Sequence, residues 1–341
     1  MKKLRVLALI HKEYVPPEDA GTVEETRGKP WRMERDVLAT LKELGHEVQV
    51  LPINDEVAPI RKAIEEFQPD VAFNFTVQFH DVGAYDAHVV SYLELLKTPY
   101  TGCSPRGLLL AGDKALSKKV MGWHRISVPK FAVFKLGKKI RMPARLEFPL
   151  FVKSPVEHAS LGISQASIVH DEESLKKRVE FVHDKLGTDA IAEQYIQGRE
   201  ITVGVIGNDR LQTLPVWEMT FDNLPDSSEP IATSQVKWNL AYQKKIGCRT
   251  HPAEGLSEAS ERAIQRMAKR IYRALDMSGF ARIDLRMDAD EKVYVLEANP
   301  NPDLSIGEDF AESALKAGIE YPALIQRILN LGIAYEVPWK G

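Results

Sequence analysis

A chain of 341 residues is long enough for two or three packed lobes, and 44% hydrophobic with 27% charged residues is ordinary for a globular protein. The net charge of −3 gives no electrostatic reason to expect nucleic acid, and no apolar stretch is long enough to span a membrane. The cysteines, Cys103 and Cys248, do not make a disulfide framework and fit a reducing cytoplasm.

The first apolar run, Leu4 to Ile10, follows a basic start but is short, runs into His-Lys-Glu and lacks a small-residue cleavage site. It predicts a buried strand, not a signal peptide. Residues 12–30 read as a long loop, often a functional feature in compact domains. Val37, Leu38, Leu41 and Leu44 have helical spacing over 31–44, with Gly45 as a stop. A strand at 47–52, a helix at 60–67, a strand at 70–75 and a helix at 87–96 follow. This alternation predicts a parallel sheet with helices on both faces and ligand sites at the C-terminal strand ends. Asn74 lies at one such end, with His80 and His88 nearby; both histidines are more simply solvated loop side chains.

Thr101-Gly102-Cys103-Ser104 leads into a helix that carries Asp113-Lys114 and Lys118-Lys119, the last pair reading as a solvated face. A strand opens at Val128-Pro129. The strand 148–154, FPLFVKS, holds Lys153 among apolar residues, where an ammonium wants an anion or must escape to water. The loop 157–163 then offers small residues that let backbone amides approach phosphate oxygens, before a strand at 165–169. Residues 190–196 form an extended apolar run interrupted by Glu193. A hairpin at 201–206 and 211–217 turns about Gly207-Asn208-Asp209. The polar stretch 225–252 reads as an irregular, mobile lid. Ala259, Ala263, Ile264, Met267, Ile271 and Leu275 mark one buried face of a helix over 257–275.

That helix feeds the most informative stretch, GFARIDLRMDADEKVYVLEANPNPDLS at 279–305. Arg282, Asp284 and Arg286 alternate with Ile283, Leu285 and Met287, the pattern of a half-buried strand. Asp288 to Glu291 supplies turn residues, and Val293 to Asn299 returns. A turn centred on Ala289-Asp290 sets Arg282 opposite Glu297 and Asp284 opposite Val295, with Asp284 and Glu297 diagonal neighbours. With Asn299 they offer hard oxygens suited to Mg²⁺ held together with substrate phosphates. Arg282 beside them is a fixed cation where negative charge could develop. A surface hairpin with an Arg–Glu pair is the plainer alternative. Against it stands Glu297, a carboxylate inside an apolar strand, where an unpaired charge is expensive. Further on, Ser305-x-x-Glu308 matches a capping box opening a helix that runs to Gly318.

Arg282-x-Asp284 followed by Leu296-Glu297-Ala298-Asn299-Pro300 resembles the metal and transition-state signature of the ATP-grasp ligases, in particular the D-alanine–D-alanine ligase branch. Other segments match that family in order over nearly the whole chain. The resemblance implies an α/β (α+β) ATP-grasp fold: an N-terminal parallel-sheet lobe over 1–101, then ATP-grasp lobes over 102–192 and 193–341 with ATP between them. It implies that Asp284, Glu297 and Asn299 bind two Mg²⁺, with Mn²⁺ able to replace them, and that Arg282 stabilises a tetrahedral intermediate. It implies phosphate contacts from Lys114, Lys153, Ser160 and the lid lysine Lys237. Glu193, Tyr195 and Ile196 fall on the adenine hinge, their backbone facing the base, and Glu200 on the ribose ligand. The substrates would be a small-molecule carboxylate and an amine, joined through an acyl phosphate. Members often pair as homodimers through the N-terminal lobe; the sequence displays no seam for this.

The chain departs from the family at several positions. Where D-alanine ligases have Gly-Ser-Ser-Val-Gly, it has His158-Ala159-Ser160-Leu161-Gly162. Ala159 and Trp238 replace a serine and a tyrosine of a loop-ordering triad. Glu308 replaces a serine that helps hold the acceptor's carboxylate. The family's glutamate after the first strand and His-Gly pair after the third have Glu34 and His80 as their nearest candidates, without matching spacing. A carboxylate acceptor would meet repulsion at Glu308 and Asp309, so a cationic or neutral amine is expected in place of D-alanine. The rivals are D-alanine–D-alanine ligase itself, for the cell wall, and a non-catalytic ATP-binding module.

Overall fold

A computed structural model of the chain describes residues 2–157, 160–226 and 228–337. Ala159, one of the expected departures, lies outside the described residues.

In the N-terminal lobe β1 (Arg5–His11) is central in a parallel sheet of order β2-β1-β3, with β2 at Glu47–Ile53 and β3 at Val71–Asn74. Helices α1 (Arg32–Glu43), α2 (Ala58–Phe67) and α3 (Asp86–Leu95) alternate with or follow the strands. The continuous apolar run of β1 suits a strand covered on both faces. Leu7 and Leu9 pack toward α2 and α3, while Val6, Ala8 and Ile10 pack toward α1 and the C-terminal helices.

The single helix expected after Ser104 is two, α4 (Pro105–Gly112) and α5 (Lys114–Trp123). Asp113 divides them: its extended backbone ends α4, and its carboxylate caps α5 by accepting from the N–H groups of Ala115 and Leu116 at 2.8 and 2.9 Å. Both helices lie against the C-terminal sheet.

The middle lobe is a sheet of order β4-β7-β5-β6, made of β4 (Phe131–Phe134), β5 (Leu150–Lys153), β6 (Ile168–Val169) and β7 (Ala190–Gln194), backed by α6 (Glu172–Leu186). The strand expected over 165–169 is mostly a 3₁₀ turn, Gln165–Ser167, because Ser164 and Ser167 close a capping box there. This lobe has a core of its own.

The C-terminal sheet has the order β10-β9-β8-β11-β12. Its strands are β8 (Arg199–Ile206), β9 (Gln212–Phe221), β10 (Cys248–Pro252), β11 (Phe280–Met287) and β12 (Val293–Pro300). Gly198 turns the chain into β8 at φ +143°, where a Cβ would come within 2.0 Å of the Met287 carbonyl oxygen. The stretch expected to be an irregular lid is ordered into α7 (Ser234–Trp238), α8 (Leu240–Ile246) and β10, because Thr233 and Asn239 cap successive short helices. Helices α9 (Glu258–Ala274) and α10 (Asp309–Lys316) both pack on this sheet, and α11 (Tyr321–Ala334) returns to α1 and β3, so that α10 and α11 share the core of the N-terminal lobe. The outer lobes are thus welded together, and the middle lobe faces them.

Candidate active site

The hairpin of β11 and β12 forms as the sequence predicts, but in a different register. Leu285 pairs with Val295, and one step on Asp284 pairs with Glu297, so Leu296 is the extra residue of a β-bulge. Asp284 therefore stands directly opposite Glu297, and Arg282 opposite Asn299. Two shifts separate this register from the expected one: Met287 pairs with Val293, so the turn centres on Asp290, and the bulge, which counting residues across a turn cannot reveal, adds one more residue.

On this face Arg282 grips Asp284 with two hydrogen bonds, Nε to Oδ1 at 2.7 Å and Nη2 to Oδ2 at 3.0 Å. Asn299 Nδ2 donates to the same Oδ2 at 2.8 Å. Burial works against the arginine's charge, but Asp284, with Asp309 and Glu297 behind it, holds the pKa above the ordinary value. The guanidinium is thus permanently charged and fixed in plane. Glu297 faces the Lys114 ammonium at 3.4 Å. Among the described residues no group of three or more His, Cys, Asp or Glu gathers as a self-contained metal cage. Two opposed carboxylates and a neighbouring amide fit the alternative, a hard cation that shares its coordination with substrate phosphates.

The middle lobe and α5 bring the lysines. Lys153 extends from β5 toward Glu193 of β7, at 3.7 Å. Burial lowers its pKa, but Glu193, Glu297, Glu200 and Asp284 outweigh that and raise it. Lys114 also donates to the Glu157 carbonyl at 2.6 Å. Lys118, read from the sequence as part of a solvated face, is 1% exposed. Its ammonium lies 3.4 Å from Glu193 and donates to the carbonyls of Val295 and Leu296. The missed signal was the spacing: Lys118 follows Lys114 by four residues, which puts both on one side of α5. Lys119 is exposed, as expected.

The adenine hinge needs a correction. Glu193 sits between two strands, its backbone opposite Phe131 and Phe151, so it is the carboxylate that reaches the site. The Tyr195 N–H is taken by the Pro149 carbonyl at 3.0 Å. The Ile196 carbonyl accepts from Arg286 at 3.4 Å. Arg286 also lies 3.5 Å from Glu200 and over the Tyr195 ring. Burial raises the Glu200 pKa against the pull of Arg286. Arg286 thus organises three of the four residues assigned to the nucleoside, Tyr195, Ile196 and Glu200, a role the alternation of β11 alone did not disclose.

The lid closes over the phosphate loop. Ser160, at φ +60°, accepts through its carbonyl from the Ser234 hydroxyl, and Ser234 N–H donates to Ile163 O at 3.1 Å. Gln165 and Glu229 exchange two hydrogen bonds, both 3.0 Å, and Tyr195 donates to Glu229 at 3.0 Å. Lys237 ends α7. Much of its side chain meets solvent, yet desolvation at the ammonium, followed by Arg282 beside it, lowers its pKa. Trp238 is 66% exposed.

At the far end, the capping box expected at Ser305 and Glu308 does not form. Helix α10 begins at Asp309, and Ser305 gives its hydroxyl to Asp303 at 2.6 Å. Glu308 is instead claimed by Arg32 of α1 at 3.0 Å. Burial, then Asp303 and Asp309, push the Glu308 carboxyl up to about 7. Glu34 is 3% exposed, its Oε2 has no hydrogen-bond partner, and burial raises its pKa to about 8, with Asp303 adding to the shift. His80 and His88 are both exposed.

Comparison with known proteins is consistent along the chain. The family model described as D-ala D-ala ligase C-terminus matches residues 121–330. The D-alanine--D-alanine ligase of Desulforudis audaxviator is 30% identical, over 91% of this chain and 96% of its own. A protein of Sinorhizobium fredii described only as uncharacterized protein y4sG is 32% identical over 89% of each chain. The crystal structure of the D-alanine--D-alanine ligase from Bacillus anthracis complexed with ATP superposes with a TM-score of 0.74, at 22% identity over 97% of each chain.

Proposed function

Because the chain belongs to the D-alanine–D-alanine ligase branch of the ATP-grasp ligases, we propose that it joins a carboxylate to an amine other than D-alanine through an acyl phosphate. The observation that carries the reading is Asp284 directly opposite Glu297, with Arg282 clamped on Asp284 and lysines converging from two other elements.

In the first step a substrate carboxylate oxygen attacks the γ-phosphorus of ATP and ADP leaves. Lys114, Lys153 and Lys237, with the loop at Ser160, would hold the phosphates, and Glu200 the ribose. Glu193, Tyr195 and Ile196 would border the base. Such transfer is mostly positioning and electrostatics. Mg²⁺ or Mn²⁺, held by Asp284, Glu297 and Asn299, would neutralise charge on the transferring phosphoryl group. In the second step the amine nitrogen attacks the acyl carbon. Arg282 stabilises the oxyanion, phosphate departs, and the nitrogen loses a proton to leave an amide. The closed lid would keep water from the acyl phosphate.

The acceptor assignment rests on the acidic far end. Asp303, Glu308, Asp309 and Glu34 gather there, with Arg32 as the closest counter-charge. Glu34 is neutral below its raised pKa, so Asp303, Asp309 and the ionised form of Glu308 would repel a carboxylate acceptor and draw in an amine bearing a positive charge. A second reading, in which both substrates are D-alanine, is favoured by the likeness to the Desulforudis enzyme. Phosphate release from ATP and Mg²⁺ over a panel of amino acids and amines, singly and in pairs, separates them. We expect release with a pair whose acceptor is neutral or cationic. Full turnover with D-alanine alone, yielding the dipeptide, would reject that acceptor.

A further inference from the structure

We propose that Lys118 is a positioning residue: by holding the β12 bulge it keeps Glu297 and Asn299 on the same face as Asp284. The proposal rests on the reading of those three residues as the metal site.

The argument is one of register. From Leu285 opposite Val295, a regular ladder would continue with Asp284 opposite Leu296 and Ile283 opposite Glu297. Side chains alternate faces with period two, so a one-residue slip turns each of them over. With Leu296 in place but paired in that regular ladder, Glu297 would point with Ile283 into the buried face and Asn299 with Ala281. The bulge at Leu296 is what gathers the three donors.

A bulge interrupts the ladder and must be held. Lys118 supplies that hold. Its ammonium donates to the Leu296 carbonyl and, at 3.5 Å, to the Val295 carbonyl, with the Glu193 carboxylate 3.4 Å away as its counter-charge. The neighbouring Val295 N–H is bound by the Ser127 carbonyl at 2.9 Å, in the segment that follows α5. So α5 and its exit loop grip the bulge through adjacent backbone groups. An ammonium has three donors on a flexible stem and suits two successive carbonyls plus a carboxylate. A fully buried lysine is costly to keep charged, and Glu193 offsets part of that cost.

The test is Mn²⁺ binding, read by electron paramagnetic resonance in the presence of a non-hydrolysable ATP analogue, on the full chain. Lys118→Met keeps the apolar stem and removes the donors. Its Mn²⁺ affinity should fall at least tenfold and its KM for Mg²⁺ should rise, while the amides of β12 lose protection from hydrogen exchange in metal-free protein. Wild-type Mn²⁺ affinity in a folded Lys118→Met would overturn the proposal. Should that variant not fold, the same substitution in a chain lacking Leu296 decides. Deleting the bulge residue leaves Glu297 opposite Asp284 in a regular ladder with no bulge to hold. That double variant should fold and bind Mn²⁺, and its failure to do so would overturn the proposal. Absence of Mn²⁺ binding by the wild-type protein would instead reject the metal site itself.

Discussion

The two ends of the cleft handle charge in opposite ways. At the phosphate end every key carboxylate has a cation: Asp284 has Arg282, Glu297 has Lys114, Glu193 has Lys118 and Lys153, and Glu200 has Arg286. At the acceptor end acids outnumber their partners: among the described residues the buried Glu34 Oε2 has no hydrogen bond and no lysine or arginine within salt-bridge distance, whereas Glu193 Oε1, also without a hydrogen bond, lies 3.4 and 3.7 Å from two lysine ammoniums. A site built for a polyanion needs cations held ready, and a carboxylate beside each offsets part of the cost of burying it. A site with raised carboxyl pKa values is suited to receive positive charge. On the proposed assignment of the two ends, the difference teaches that paired charges held by the scaffold would serve the phosphates, whereas the choice of acceptor would depend on side chains with latitude to change.

The sharpest way to break this contrast is at Arg282. Arg282→Met should lower kcat by about 10²–10³ while ATP binding, followed by calorimetry, persists. Unchanged turnover would remove the oxyanion role and with it the main distinction from a passive nucleotide binder.

Glu34 tests the other end through stability. Its folded pKa of about 8 lies above the ordinary 4.5, so between those values the folded protein holds a proton that the unfolded chain releases. Stability is therefore fully present at low pH and lost as pH rises through that window. Glu34→Gln should abolish the loss and leave the variant more stable than wild type at pH 9, by on the order of a few kcal/mol. Urea midpoints at pH 5 and pH 9 measure it. A wild-type midpoint independent of pH in that range would mean that Glu34 is already satisfied.

Legibility from sequence follows the same division. The phosphate end is carried by short-range patterns: alternation in 282–287, a lone lysine in an apolar strand at Lys153, a carboxylate in an apolar strand at Glu297. These are visible because strand periodicity is local. The strand–helix alternation likewise disclosed the parallel lobe. What escaped was non-local. The bulge at Leu296 depends on Lys118, far away in the chain. The Arg32–Glu308 pair joins residues separated by 276 positions and displaced a capping box that local spacing alone supports. Tertiary competition for a side chain overrides a local motif when the partner is charged and half-buried.

A smaller effect is expected at Glu308, whose pKa of about 7 makes its charge depend on physiological pH. For a cationic acceptor, KM should rise as pH falls through 7, because the carboxylate is then protonated. Its side chain is 46% exposed, and water screens it, so the change should be roughly twofold to fivefold. Glu308→Gln should flatten that pH dependence and leave the KM for ATP alone. A pH-dependent KM that survives in Glu308→Gln would move the effect to Glu34.

The smallest effect belongs to the lid, where neither end of the cleft is altered but the door between them is loosened. Gln165 ties the phosphate loop to the lid by two hydrogen bonds with the backbone of Glu229, each 3.0 Å. Each contributes about 1 kcal/mol in net terms. The lid has other ties, Ser234 to the 160–163 loop and Tyr195 to Glu229, so removing one shifts the open–closed balance without abolishing closure. Because those other ties persist, Gln165→Ala should raise the KM for ATP no more than about twofold and change kcat little. It should also increase release of phosphate without amide formation, as water reaches the acyl phosphate more often. Equal phosphate and amide yields in the variant would show that closure is held elsewhere, and would return water exclusion to the Ser160–Ser234 contact.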